Sequence, residues 1–138
     1  MPAKDAYHTI VRTALEKDQW QITHDPLRVV LGRKKGYVDL AAEKLLAAQR
    51  GTKKIAVEIK SFLGASTLDE FEDALGQFLI YKVALEVDDP TRQLYLAVPF
   101  SVYTDFFDDS FFSGILKRFM VQLLIFDEEQ QTIVQWID

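Results

Sequence analysis

The stretch Ile55-Ala56-Val57-Glu58-Ile59-Lys60 has the clearest β-strand pattern in this 138-residue sequence. Successive side chains of a strand point to opposite faces, so its three β-branched residues share one face. Glu58 and Lys60 share the other face, which places a carboxylate and an ammonium group side by side. The stretch therefore predicts a strand that carries an acidic and a basic group at its carboxyl end.

A second carboxylate, Asp39, lies 19 residues upstream of Glu58, in a segment (37–40) whose composition also predicts a strand. A hairpin turning near Gly51, or a longer excursion, would bring the two carboxylates together. Two carboxylates, completed by waters and a backbone carbonyl, suit Mg²⁺ or Mn²⁺. Lys60 would then orient a water or stabilise charge on a transferring phosphate. This combination indicates phosphodiester hydrolysis.

Helical periodicity predicts one helix over 3–17 and a second from Thr67 to about Glu86, with Thr67 and Glu70 at capping-box spacing. In the second helix the predicted buried stripe is Leu68, Phe71, Leu75, Phe78, Leu79 and Val83. One or two short helices, interrupted near Gly114, are predicted over 103–119. Extended segments are predicted at 20–22, 27–31, 37–40, 41–49, 55–60 and 94–98, and a final hairpin at 121–126 and 132–137.

This order predicts one α/β (α+β) domain over residues 1–138, with a central mixed β-sheet flanked by helices. Its elements follow an αβββαβ order plus a C-terminal hairpin. Hydrophobic residues make up 49% of the chain, enough for a core of ordinary size.

The net charge of −5 argues against a protein that coats nucleic acid non-specifically. The charge is unevenly distributed, however, because residues 28–60 contain nine basic and three acidic residues, whereas the remainder contains seven basic and eighteen acidic. The candidate DNA contacts in that segment are Arg33, Lys34, Lys35, Lys53 and Lys54. The alternative is that these residues are exposed turn lysines and arginines that serve solubility.

The sequence contains no cysteine, which excludes disulfides, thiolate metal sites and cysteine nucleophiles. No apolar run approaches the roughly 18 residues that a membrane span requires. We therefore expect a soluble, cytoplasmic protein without a membrane partner.

Five phenylalanines cluster within residues 106–119: Phe106, Phe107, Phe111, Phe112 and Phe119. Their spacing suits short packed helices, so burial in the core is the first interpretation. The alternative is an exposed aromatic surface for a partner protein.

The pattern of Asp39, a spacer and then Glu58-Ile59-Lys60 on a strand resembles the PD-(D/E)XK nuclease core, the restriction-endonuclease-like fold. That resemblance implies metal-ligand roles for Asp39 and Glu58 and a water-positioning role for Lys60. The family's proline before the aspartate is absent, since Val38 stands there.

Gln77 and Tyr81 lie four residues apart on the following helix, and their spacing resembles an accessory motif of RecB-type nucleases in the same superfamily. One helical turn apart, both would face the site. The alternative for Tyr81 is a packing role, because it lies beside the apolar stripe of that helix.

Nearly the whole chain is similar to the XisH family, the fdxN element excision controlling factors of cyanobacteria. The similarity is carried by the segments 3–5, 38–44, 54–62 and 74–78. It implies a role in controlling programmed excision of a DNA element by a site-specific recombinase, together with a partner protein, XisI.

Three functions stay open from the residues: a Mg²⁺-dependent DNA endonuclease or nickase, a DNA-binding factor that assists a recombinase without cutting, and a protein-interaction subunit. A nuclease with one site per chain that cuts both strands calls for two chains, so a homodimer is a further expectation.

Overall fold

The computed structural model describes residues 4–46 and 51–138, without the side chains of residues 4 and 5. The helices are α1 (Lys4–Lys17), α2 (Thr67–Asp88), α3 (Phe100–Val102, continued by the π-helical turn Tyr103–Phe107) and α4 (Ser110–Arg118). The strands are β1 (Gln21–His24), β2 (Leu27–Leu31), β3 (Lys34–Val38), β4 (Leu40–Leu46), β5 (Gly51–Ile59), β6 (Arg92–Pro99), β7 (Leu123–Asp127) and β8 (Thr132–Ile137). Residue 3 of the first predicted helix and residues 47–49 of the predicted strand 41–49 lie outside the described residues.

Six strands form one open mixed sheet in the order β1-β4-β5-β6-β7-β8, and β2 and β3 form a separate hairpin. The pairs β5–β6 and β6–β7 are parallel, and the other pairs of the large sheet are antiparallel. The prediction of a central mixed sheet flanked by helices in an α+β fold is therefore confirmed. The αβββαβ order corresponds to α1, β1, β4, β5, α2 and β6, with the β2–β3 hairpin inserted after β1.

The two faces of the large sheet bury different apolar clusters. Helix α1 packs on one face, where its Val11 and Leu15 join Ile55 and Val57 of β5. Helix α2 and the β2–β3 hairpin contribute to the cluster on the other face, which includes Ala56 of β5. Because side chains alternate along β5, Glu58 points toward the face covered by α2. No helix in the described ranges is long and apolar enough to cross a membrane.

The predicted strand over 37–40 is wrong in one respect, because the chain bends at Asp39. Residues before the bend pair only within the small hairpin, and residues after it join the large sheet. Val38 and Leu40 are both fully buried on either side of the bend. The pattern of apolar residues therefore continues across the bend and does not indicate it.

Helix α2 begins differently from the prediction. Ser66 is the N-cap, and its Oγ accepts a hydrogen bond from the backbone N–H of Asp69 at 3.2 Å. The carboxylate of Glu70 instead accepts a hydrogen bond from the backbone N–H of Gly64 at 3.1 Å. The predicted capping box of Thr67 and Glu70 is thus shifted by one residue.

The predicted buried stripe of α2 is also partly wrong. Leu68 and Val83 are 51% and 61% exposed, although Phe71 and Phe78 are buried as expected. The helix instead buries a face that includes Ala74 and Tyr81.

The predicted interruption near Gly114 is wrong, because α4 runs through that residue. The break comes earlier, where Asp109 caps α4 by accepting a hydrogen bond from the backbone N–H of Phe111 at 2.9 Å. Glycine in a helix interior is tolerated, whereas a capping aspartate starts a new helix.

The five phenylalanines divide between the two interpretations. Phe107 is 1% exposed and packs edge-on against Phe62, while Phe106 and Phe112 pack against Phe71. The other two, Phe111 and Phe119, are 67% and 45% exposed.

Candidate functional site

Asp39 and Glu58 meet where β4 begins and β5 ends. The backbone N–H of Asp39 donates a hydrogen bond to Glu58 Oε1 at 3.2 Å, and the backbone N–H of Ile59 donates to Asp39 Oδ2 at 2.8 Å. The antiparallel register of these strands, in which Leu40 is opposite Val57, brings the two residues together. The spacing in the sequence suggests that the two carboxylates lie close together. The two backbone N–H groups that bind them are determined by the register of β4 and β5.

Glu58 is a buried acid, with only 4% of its surface exposed. Burial, and after it the neighbouring Asp39, raise the pKa of Glu58 to about 8, although Lys60 partly opposes both effects. No salt bridge within the described ranges reaches either carboxylate. Without a compensating cation Glu58 therefore keeps its proton at neutral pH, and a bound cation would favour its ionisation.

Lys60 follows β5 directly, and its backbone N–H donates to the carbonyl oxygen of Ala97 at 3.0 Å. Its half-buried side chain lines a cavity of about 260 Å³, together with Glu70 and Asp73 of α2. The sequence pattern predicts only a capping role for Glu70. The position of Glu70 near the start of α2 could have indicated its place in the site, because the start of that helix faces the end of β5.

Gln77 and Tyr81 form a pair on α2, in which Gln77 Nε2 donates to the Tyr81 hydroxyl at 3.1 Å. Tyr81 is 8% exposed. A Cβ placed on Gly36 of β3 would come within 2.9 Å of the Tyr81 ring. Tyr81 therefore packs α2 against the hairpin, and no hydrogen bond in the described part of the chain joins this pair to the two carboxylates.

The predicted basic residues are not gathered around the acidic pair. Arg33, Lys34 and Lys35 are exposed at the tip of the β2–β3 hairpin. At about 3.3 Å per residue, Lys35 lies roughly 13 Å along β3 from Asp39. Lys53 and Lys54 lie roughly 13–16 Å along β5 from Glu58 by the same measure.

Lys53 has a separate contact of its own. Its ammonium lies 5.8 Å from the centroid of the Tyr95 ring and 5.9 Å from that of Trp136. Tyr95 belongs to the cluster packed under α1, and Trp136 packs against it. Lys53 therefore lies on the face of the sheet opposite to Glu58.

Two carboxylates form the metal-ligand set that the structure offers. The described residues contain no cluster of three or more His, Asp or Glu side chains that could hold an ion. Backbone carbonyls and waters would complete an octahedral shell, which is the usual arrangement for Mg²⁺. Such a site can bind a hard divalent cation beside a lysine ammonium group.

Comparisons with known proteins give one consistent result. The family model described as XisH protein matches residues 1–134. The crystal structure of an XisH family protein from Nostoc punctiforme is 45% identical, covers 97% of this chain and 100% of its own, and superposes with a TM-score of 0.87. The crystal structure of an fdxN element excision controlling factor protein from Anabaena variabilis is 46% identical, with 98% and 100% covered and a TM-score of 0.89. A comparison with curated proteins found no match.

Proposed function

This chain belongs to the XisH family, and on that premise we propose that it acts on DNA as a Mg²⁺-dependent phosphodiesterase within excision of a DNA element. One observation carries the proposal: the backbone N–H of Asp39 donates to the Glu58 carboxylate, the backbone N–H of Ile59 donates to the Asp39 carboxylate, and no salt bridge of the described chain reaches either acid. The arrangement of Asp39, Glu58 and Lys60 supports the resemblance to PD-(D/E)XK nucleases.

The carboxylates of Asp39 and Glu58 would hold Mg²⁺ or Mn²⁺, and the raised pKa of Glu58 supports this assignment. A buried acid with an acidic neighbour releases its proton readily only when a cation compensates the charge. The bound ion would polarise the phosphate and acidify a water molecule.

Lys60 is the group of this chain assigned to the water or the reacting phosphate. It is close enough to Glu58 to lower that residue's pKa, yet it forms no salt bridge with it. Its ammonium therefore stays available for an anionic oxygen in the adjacent cavity. A positive charge held at that position stabilises charge that develops in the transition state.

Gln77 and Tyr81 are assigned a positioning role in this proposal. Their mutual hydrogen bond fixes both side chains on the helix that covers Glu58. DNA contacts are assigned to Arg33, Lys34, Lys35, Lys53 and Lys54, whose charges would add a local, salt-dependent attraction to phosphates.

A second candidate function is a factor that binds DNA or an XisI-like partner protein and assists the recombinase without cutting. Two features favour it: only two acidic ligands meet in the described site, and the basic residues lie roughly 13–16 Å along their strands from it. A factor recruited by a partner protein needs less electrostatic affinity for DNA of its own.

A plasmid assay with parallel metal titration separates the two functions. We expect the wild-type protein to nick supercoiled plasmid with Mg²⁺ or Mn²⁺ and to bind Mn²⁺ in calorimetry. Asp39→Asn and Glu58→Gln should lose both properties, whereas Lys60→Met should keep metal binding and lose cleavage by roughly 100-fold or more.

Glu43→Gln is the matched control, because Glu43 is a half-buried acid on β4 outside the pair. It should leave metal binding and cleavage unchanged. Cleavage that persists in Glu58→Gln and Lys60→Met would reveal a contaminating nuclease and contradict the proposal. DNA binding without cleavage in any metal would support the second function.

A further inference from the structure

Helix α2 exposes an apolar seam on the side that faces away from the sheet. Ile80, Val83 and Val87 are 56%, 61% and 77% exposed. Together with Gly76 they are spaced by four, three and four residues, which places all four along one line of the helix surface. This is the spacing with which one helix packs along another.

No contact within the described chain requires a glycine at position 76. A Cβ built on it would meet no other atom within 4 Å, and the residue lies in the interior of α2. Glycine destabilises a helix interior relative to alanine, so its presence at an open position calls for another explanation. A glycine on a helix surface allows a second backbone or a bulky side chain to approach closely.

The seam borders an open groove of about 640 Å³ between α2 and the β2–β3 hairpin. Val30, Leu31 and Gly32 line the hairpin side, and Val30 is 51% exposed. Val87 and Asp88 line the helix side, so the hairpin tip lies beside the C-terminal end of α2.

The charges at the two ends of this surface are opposite. Asp69 and Asp73 continue the same seam toward the N-terminal end of α2, and both are exposed. The hairpin tip at the other end carries exposed Arg33, Lys34 and Lys35, which outnumber the exposed Asp88 beside it. Across residues 4–46 and 51–138, none of these six side chains forms an ion pair.

We propose that this seam binds the same seam of a second copy of the chain, with the two α2 helices antiparallel about a two-fold axis. In this arrangement Ile80 of each copy lies against Val83 of the other, and Val87 lies against Gly76. Asp73 and Asp69 of each copy then extend past the end of the other α2 and reach its basic hairpin tip. Every contact occurs twice, as a two-fold interface requires.

The second copy is the occupant because the surface complements itself. The acidic and basic ends are separated along α2 by about 22 Å, taking 1.5 Å per residue from Asp73 to Asp88, so they cannot neutralise each other within one chain. An antiparallel copy pairs both ends at once and covers the apolar centre. This interface does not require nuclease activity, but it uses the hairpin tip that the proposed function assigns to DNA, so the dimer contact and the DNA contact are alternative roles for Lys34.

Sedimentation equilibrium of the full chain tests the interface over roughly 1–200 µM, a range that detects micromolar dissociation constants. We expect a reversible monomer–dimer equilibrium for the wild type. Ile80→Glu should raise the dissociation constant by at least about tenfold, because it places two charges in the apolar centre. Leu68→Glu is the matched control, since Leu68 is 51% exposed on α2 but lies off the seam, and it should leave the equilibrium unchanged.

A charge exchange tests the two-fold register directly. Asp73→Lys and Lys34→Glu should each weaken the dimer, and the double variant should restore it, because the exchanged charges meet across the interface. A monomer at every concentration, equal effects of Ile80→Glu and Leu68→Glu, or no restoration in the double variant would overturn the proposal. Loss of DNA binding in Lys34→Glu with an unchanged dimer would overturn it as well, by assigning the hairpin tip to DNA instead.

Discussion

Two charged residues are buried in the described part of the chain: Glu58 on β5, and Arg92 at the start of the neighbouring strand β6. Arg92 is fully partnered: its Nε donates to Asp89 Oδ2 at 2.9 Å, and its Nη1 donates to the carbonyl oxygen of Ile55 at 3.0 Å. Glu58 accepts one backbone hydrogen bond, and its nearest charged neighbour is another acid. Two neighbouring strands thus differ: Arg92 of β6 has an acidic partner, whereas Glu58 of β5 has no cation paired with it.

This difference separates a buried charge that has an oppositely charged partner from a buried acid that has none. Burial opposes ionisation of Asp89, yet the Arg92 guanidinium outweighs that effect and lowers the pKa of Asp89. At the C-terminal end of β5, burial and Asp39 together raise the pKa of Glu58. A buried charge that is left uncompensated reduces stability, and such groups concentrate at sites that bind ligands.

The largest expected effect comes from breaking the compensated charge. Arg92→Met leaves Asp89 and the Ile55 carbonyl without their partner, so we expect the free energy of unfolding to fall by about 3 kcal/mol. Urea denaturation measures the change. Arg92→Lys should recover part of the loss, because it retains the charge but not both hydrogen bonds. A loss below about 1 kcal/mol would show that the ion pair contributes little to stability.

Replacing Glu58, the buried acid without a paired cation, should instead raise the stability of the folded protein. Because the pKa of Glu58 is raised to about 8, the folded protein keeps a proton that the unfolded chain releases above about pH 4.3. Stability from this group is therefore fully present below about pH 4.3 and is lost as the pH rises toward 8. Glu58→Gln should remove that loss, so the metal-free variant should be more stable than the wild type at pH 8.

Urea denaturation at pH 5 and pH 8 measures this difference, with Glu43→Gln as the control that should show none. Added Mn²⁺ should stabilise the wild type at pH 8 but not Glu58→Gln, because a ligand that binds only the folded state raises its stability. If Glu58→Gln were less stable than the wild type at pH 8, Glu58 would have a structural role like that of Arg92.

The comparison also shows what the sequence could reveal. The order of helices and strands followed from apolar periodicity, and Glu58 and Lys60 followed from the alternation within one strand. Asp89 and Arg92 escaped notice because their partners are a residue three positions away and a carbonyl of a different strand. The bend at Asp39 was missed for a related reason: it moves the chain between two sheets without changing the apolar pattern.

The residue that caps α2 and the break that precedes α4 are each determined by a single hydrogen bond. Ser66 and Asp109 are both residues that favour N-caps, but neighbouring residues of the same kind compete for the position. Which one caps is decided by where the helix meets the core. The exposed seam of α2 was likewise hidden, because Val83 fits the predicted buried stripe as well as the observed exposed one.

The smallest expected effect concerns Gly76, which resembles Glu58 in that it reduces the stability of the isolated chain without a visible local benefit. Gly76→Ala should raise the free energy of unfolding of the monomer by about 0.5–1 kcal/mol, because the helix is favoured and the added methyl meets open space. Urea denaturation at low micromolar concentration, where the monomer predominates, measures that gain. At high concentration the methyl lies where Val87 of the second copy packs, so the same variant should weaken the dimer in sedimentation. A gain in both measurements would mean that Gly76 is not a contact point between two copies, and the seam would lose its strongest single support.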